Sequence, residues 1–428
     1  MRDMKDSGIQ WLGEYPATWT LKKIKYCLQE RIEKNNPVRS TDILSLTAKQ
    51  GVIPYDQKEG GGNKPKEDFS AYRLAYPGDI VMNSMNILSG SVGLSQYFGC
   101  VSPVYYMLRP WDAKEDVRYY NYIFQTTMFQ RSLYGLGNGI LIKESGNGKL
   151  NTIRMRIPMD KFGRLFIPVA PVEEQRRIAD YLDARCAEID ALIADVQAQI
   201  ETLEQYKKSS ISEAVTRGID PNAEVEESRV IYLGPVNKNW KLSKIGYICT
   251  KYARSFVPED TALICSNKGK VLVRDEGLTG IMVSEDNAMQ GIHKGDIAIH
   301  GMDTWHGAIA LSDYDGKITR VVHVCDSTED KRFVVYWLQH LAFQGVYKLI
   351  SNGVRGNTSD FRSWDKVRDI YIPLPPTLEE QAIICDHLDN LCRETEEIIE
   401  TKKQQLDVLE SYKKSLIYEY VTGKKEVI

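Results

Sequence analysis

His300-x2-Asp303-x2-His306 is the spacing in this chain that most resembles reaction chemistry. Two imidazoles flanking a carboxylate suit a divalent metal, or an acid paired with a base. Asn83-x2-Asn86, the matching stretch of an internal repeat, can do neither. His300, Asn83 and Asn86 therefore read as polar recognition positions, and neither a metal site nor a catalytic residue is expected. Phosphate-transfer chemistry also finds no seat. The Gly-Lys pairs at Gly148, Gly269, Gly316 and Gly423 lack the Ser or Thr that completes a phosphate-binding loop. The Asn-Pro-Pro-aromatic tetrapeptide of adenine methyltransferases does not occur.

The remaining chemistry is charge and hydrogen bonding. The chain carries a net charge of −3, unevenly spread: residues 1–170 sum to +7, 171–230 to −7, 231–376 to +2 and 377–428 to −5. Local basic surface, rather than whole-chain charge, is the footprint of a phosphate backbone. Lys143, Lys149, Arg154, Arg156, Arg254, Lys268, Arg274, Arg355 and Arg362 lie in basic, polar segments, and Asn151 and Asn357 lie beside them. Such side chains grip phosphates and read base edges. The plainer alternative is that these are solvated loops.

A repeat positions all of these residues. Leu12-Gly13, Trp19, Leu21, Lys23-Ile24 and Tyr26 recur as Leu233-Gly234, Trp240, Leu242, Lys244-Ile245 and Tyr247. Gly78-Asp79-Ile80 recurs as Gly295-Asp296-Ile297, and Arg118, Tyr122 and Phe129 recur as Arg332, Tyr336 and Phe343. Each Gly-Asp pair reads as a turn before a short strand. Arg118–Tyr134 and Arg332–Lys348 each predict a helix with Tyr and Phe on its inner face. The matched blocks are scaffold; Lys49–Arg73, Ile140–Arg156, Arg254–Arg274 and Val354–Arg362 have no counterpart. Each unit is an α+β domain of roughly 150 residues.

A long helix follows each domain. Leu182, Cys186, Ile189, Ile193, Val196, Ile200 and Leu203 alternate at spacings of four and three, a coiled-coil seam that suits helix pairing or subunit docking. Leu388, Cys392, Ile399, Leu406 and Leu409 form the second seam, with Thr395 and Lys402 interrupting. Pro171 and Pro376 precede the helices, and Gly218 and Gly423 close them. About 45 residues give a rod of roughly 65–70 Å. Short connections make the rods antiparallel, with the units related by a pseudo-twofold axis. The expected boundaries are 1–170 and 231–375 for the domains, 171–217 and 376–428 for the helices, and 218–230 for the linker. Eight cysteines without a C-x-x-C pair, no apolar run of membrane length and a charged, polar start predict a cytoplasmic chain.

The doubled block Pro171…Gln175-x2-Ile178-x3-Leu182-Asp183 and Pro376…Gln381-x2-Ile384-x3-Leu388-Asp389 resembles the specificity subunits of type I restriction–modification systems. The Trp-x-Leu-x-Lys-Ile openings and Gly-Asp-Ile motifs add to the likeness, which covers essentially the whole chain. The chain departs at Ala170-Pro171, where many relatives have two prolines. The resemblance implies two target-recognition domains reading the halves of a bipartite, asymmetric DNA sequence, with the helices as spacer. It also implies double-stranded DNA, two methyltransferase subunits and two restriction subunits as partners. S-adenosylmethionine, ATP and Mg would belong to those partners, with no cofactor on this chain. The alternatives are a coiled-coil scaffold and a single-chain DNA-modifying enzyme; the missing motifs count against the latter.

Overall fold

The computed structural model describes residues 2–47, 50–58, 67–137, 156–274, 288–351 and 361–427. The chain divides into two compact units, Met1–Val196 with Gln404–Ile428, and Gln197–Lys403.

In the first unit, β1 (Thr20–Lys23), β2 (Leu28–Glu30), β3 (Ile80–Asn83), β4 (Val92–Leu94) and β5 (Tyr105–Pro110) precede α1 (Val117–Gln125) and α2 (Thr127–Ser132). Next come β6 (Phe166–Val169) and the 46-residue α3 (Val172–Arg217). Four strands form an antiparallel sheet in the order β2-β5-β3-β4, with Leu108 opposite both Glu30 and Ile80. β6 closes back on β1, pairing Ile167 with Lys22, so the strand before the long helix is tied to the domain's opening segment. Tyr119, Phe124, Phe129 and Phe162 fill the core beneath the sheet with Trp19, Ile80 and Leu108. Ile178 and Leu182 of α3 and Leu416, Ile417 and Val421 of the last helix join the same core. Each such side chain contributes roughly 1.5–3 kcal/mol by leaving water, so the helix is docked chiefly by its apolar face.

The second unit repeats this plan. Its strands are β7 (Lys241–Lys244), β8 (Cys249–Tyr252), β9 (Ile297–His300), β10 (Ile309–Leu311) and β11 (Val322–Ser327). α4 (Lys331–Phe343), β12 (Tyr371–Leu374) and α5 (Leu378–Val421) follow. The sheet order is β8-β11-β9-β10, strand for strand that of the first unit, and β12 pairs with β7 as β6 does with β1. The predicted helices are each broken, and at different points. In the first unit Thr126 turns extended (ψ 132) and its hydroxyl accepts from Phe129 N, dividing α1 from α2. In the second, α4 runs on until Gly345 adopts φ 69, and a short helix, Val346–Ile350, begins beyond it.

The long helices begin and end on local signals. Pro171 O accepts from the N–H groups of Glu174 and Gln175, and Thr377 Oγ1 accepts from Glu380 N at 3.1 Å. Gly218 and Gly423 take φ 90 and 71, the left-handed conformation that stops a helix. Within the first unit, Lys413 Nζ of α5 lies 2.6 Å from Asp190 of α3, and the Tyr420 ring lies 4.6 Å from that of Tyr181. Within the second unit, Lys402 donates to Gln199 and Lys207 to Glu396. Numbering climbs on one helix as it falls on the other, so both pairings are antiparallel. Leu182, Cys186, Ile189, Val196, Leu388 and Ile399 are buried. Ile193, Ile200, Leu203, Cys392, Leu406 and Leu409 are half-buried. Thr395, expected to interrupt the seam, packs inside it at 4% exposure. Among the described residues no helix is long and apolar enough to cross a membrane.

Candidate nucleic-acid interface

The doubled sequence block is a clamp holding each domain to its helix. Gln175 Oε1 accepts from Asp116 N, while its Nε2 donates to Ala170 O at 2.9 Å. Asp116 caps α1 and binds Arg118, which reaches Asp183 on α3 at 2.6 Å. Tyr122 OH donates to the same Asp183 carboxylate, and Trp19 Nε1 donates to Glu174. Gln381, Asp330, Arg332, Asp389, Tyr336, Trp240 and Glu380 repeat these contacts in the second unit. The Gln and both charged partners thus hold each long helix to its own domain.

Within each unit, candidate residues lie where a central strand ends, β3 in the first and β9 in the second. Asn83 closes β3, is buried, and its Oδ1 accepts from Met85 N at 3.0 Å. His300 closes β9, and its Nδ1 accepts from Asp303 N at 3.1 Å and, more weakly, from Met302 N at 3.4 Å. The two side chains do the same work, folding the chain back after the strand. Burial lowers the His300 pKa against the pull of the Asp303 carboxylate, 3.3 Å from Nδ1, and so favours the neutral ring. Its Nδ1 is thus engaged by the backbone of the turn that follows the strand. Asn86 is exposed and opens the short turn Ile87–Ser89.

Arg156 and Arg362 stand beside these turns. Their neighbours Ile157 and Phe361 donate backbone N–H bonds to Ser84 O and Gly301 O. Arg156 is exposed, with its guanidinium 6.0 Å above the Tyr106 ring, and it walls a cavity of about 480 Å³ with Glu30, Arg73 and Asp160. Arg362 is exposed, its Nη2 being 3.1 Å from Met302 Sδ. Lys268 projects from the turn joining Leu263–Ser266 to Lys270–Val273, and Arg274 is half-buried where that hairpin ends. Lys143, Lys149, Asn151, Arg154, Arg355 and Asn357 lie outside the described residues.

Two expectations change. Arg254 is expected among the divergent loops, but its Nε and Nη2 bind both oxygens of the buried Asp296 at 3.1 and 3.0 Å. Arg31 binds Asp79 in the same bidentate way, and each guanidinium lies over a tyrosine, Tyr76 or Tyr252. Arg254 is therefore scaffold, completing the Gly-Asp turn in which Asp79 and Asp296 also accept from Tyr76 N and His293 N. The segment Arg254–Arg274 is not wholly divergent either. Its hairpin recurs as Leu44–Thr47 with Gly51–Pro54, preserved in backbone while its side chains changed. One contact escaped sequence reasoning: Lys270 reaches Glu396 on α5 at 2.8 Å, opposite Lys207 on α3. Burial favours the protonated Glu396 carboxyl, but the two ammonium groups outweigh it and hold its pKa below the usual range.

A family model described as the type I restriction modification DNA specificity domain matches residues 237–408. A Methanocaldococcus jannaschii protein named "Putative type I restriction enzyme MjaX specificity subunit" is 22% identical over 97% of this chain and 96% of its own length. The type I restriction enzyme MjaVIII specificity subunit of the same organism is 26% identical over 62% of this chain and 63% of its own. A solved chain from a study of complex assembly and conformational transition of the type I R-M system superposes with a TM-score of 0.67. That match has 15% identity, covers 95% of this chain and 98% of the other, and establishes the shared fold. Residues 237–408 thus match the type I restriction modification DNA specificity domain, and over nearly its whole length the chain, with its doubled clamp and matched sheets, is similar to type I restriction–modification specificity subunits.

Proposed function

We propose that this protein is the sequence-specific DNA-binding, non-catalytic subunit of a type I restriction–modification complex. It recognises a bipartite, asymmetric duplex target and directs methyltransferase and restriction partners to it. Residues 1–170 and 231–375 serve as the two target-recognition domains, and the helices 171–217 and 376–428, joined through 218–230, serve as the sequence-blind spacer and subunit-docking element. One observation supports this reading: two units share a clamp and a sheet contact for contact, yet carry their exposed cations differently beside the equivalent strand-end turns, Arg156 before Ile157 in one and Arg362 after Phe361 in the other. Identical scaffolds with different polar tips suit two unlike half-sites. Half-sites about one helical turn apart, ~34 Å, match the reach of paired recognition elements.

Two methyltransferase and two restriction subunits complete the assembly in this proposal. S-adenosylmethionine, ATP and Mg act in those partners. Arg156, Lys268, Arg274 and Arg362 supply phosphate or base contacts together with Lys143, Lys149, Asn151, Arg154, Arg355 and Asn357. Mapping adenine methylation across the genome of cells carrying this chain with its methyltransferase partner tests the whole reading. A split motif is expected; methylation without a motif, or none at all, points to a coiled-coil scaffold instead.

A further inference from the structure

We infer that Tyr106 and His323 are positioning residues for target recognition, each setting the specificity of one half-site without touching DNA. The inference rests on the DNA-recognition reading above. Tyr106 on β5 and His323 on β11 occupy equivalent places: their preceding residues, Tyr105 and Val322, pair with Asn83 and His300 at the strand ends. Both side chains are buried, at 3% and 1% exposure. Tyr106 OH donates to Ile157 O at 3.1 Å, and His323 Nε2 donates to Phe361 O at 2.7 Å. Ile157 and Phe361 also give their N–H groups to Ser84 O and Gly301 O at 3.0 and 3.1 Å.

Each of these two residues is therefore fixed at both its amide and its carbonyl by one sheet end. Arg156 precedes Ile157 and Arg362 follows Phe361, so this double fixation aims the exposed arginine beside each turn. The two units reach the arrangement with chemically different donors, a phenol and an imidazole. The same bond made by unrelated side chains marks the bond itself as the requirement. His323 Nδ1 is buried with no partner among the described residues, which leaves Nε2 as the proton-bearing atom. The Trp364 ring, 5.5 Å away, holds the imidazole plane. The neighbouring groups on the adjoining strands, His300 and Lys251, both disfavour a second proton, and burial disfavours it more.

The test uses the full chain assembled with its methyltransferase partner. The probes are a duplex carrying the bipartite motif found by methylation mapping and two duplexes with one half scrambled. Tyr106→Phe is expected to lower discrimination at one half by roughly three- to tenfold, the worth of one neutral hydrogen bond. His323→Leu is expected to do the same at the other half. His323→Gln, whose amide places a donor near the imidazole Nε2, is expected to restore it. Thermal melting checks that each variant folds, and Tyr106→His offers the other unit's donor should the phenylalanine variant melt early. Unchanged discrimination in folded variants overturns the positioning role and leaves the DNA reading intact. Both halves weakening together in one variant overturns it too, since that is general loosening. A wild-type complex blind to its own motif overturns both.

Discussion

Arg254 shows how far a residue's chemistry depends on what it is buried beside. By composition it belonged with Lys268, Arg274 and Arg362, a cation in a polar stretch. Its guanidinium is instead committed to the Asp296 carboxylate, which is 4% exposed. Arg254→Ala and Arg31→Ala should each destabilise their unit by roughly 2–4 kcal/mol, because a buried carboxylate loses its partner. Chemical denaturation checks this, and DNA affinity per folded molecule should change little. Lys268→Ala should do the reverse. Exposed on a turn, it costs no measurable stability but weakens binding to all duplexes alike and flattens the salt dependence by about one unit. Nothing in one-dimensional sequence separated these two cations; only the carboxylate across the sheet does.

The clamp and the helix contacts set the behaviour of the elements. Tyr122→Phe and Tyr336→Phe each delete one charge-assisted bond, to Asp183 or Asp389, and should cost about 1.5–3 kcal/mol in equilibrium unfolding. In the second unit the α4 side chain His340 is buried, with its Nδ1 2.8 Å from Ser212 Oγ on α3. Burial pushes its pKa down to about 4 from an ordinary 6.5. The unfolded chain therefore binds a proton that the folded one refuses. Stability from this group is complete above pH 6.5 and is lost as pH falls from there towards 4, by on the order of 3 kcal/mol. Urea midpoints between pH 7 and 5 should fall less for His340→Gln than for the wild type; equal slopes would remove His340 as the cause. The helices themselves were legible because period, proline and glycine are local signals. The break at Thr126 was not, because a threonine caps a helix only where the fold lets the backbone turn extended.

For the whole molecule, net charge is a poor guide to partners. A chain at −3 is expected to bind duplex DNA because its acidic residues are concentrated on the helices. Raising salt from 50 to 200 mM should lower DNA affinity by on the order of a thousandfold if about six phosphates are contacted. Titration by fluorescence anisotropy reads this directly, and a flat response would favour the scaffold alternative. The sequence alone determined the duplication, the two long helices, the α+β character and the family resemblance. Repeats, helical period and end signals are written in neighbouring residues, so they survive without coordinates. Tertiary structure alone decided that the Glu-Glu-Gln block is a clamp and that Asn83 and His300 are equivalent turn caps. It also decided that Arg254 is scaffold and that a phenol and an imidazole make one bond. Each of those rests on groups distant in sequence meeting within hydrogen-bond reach, and only packing the sheet against its helices brings them there.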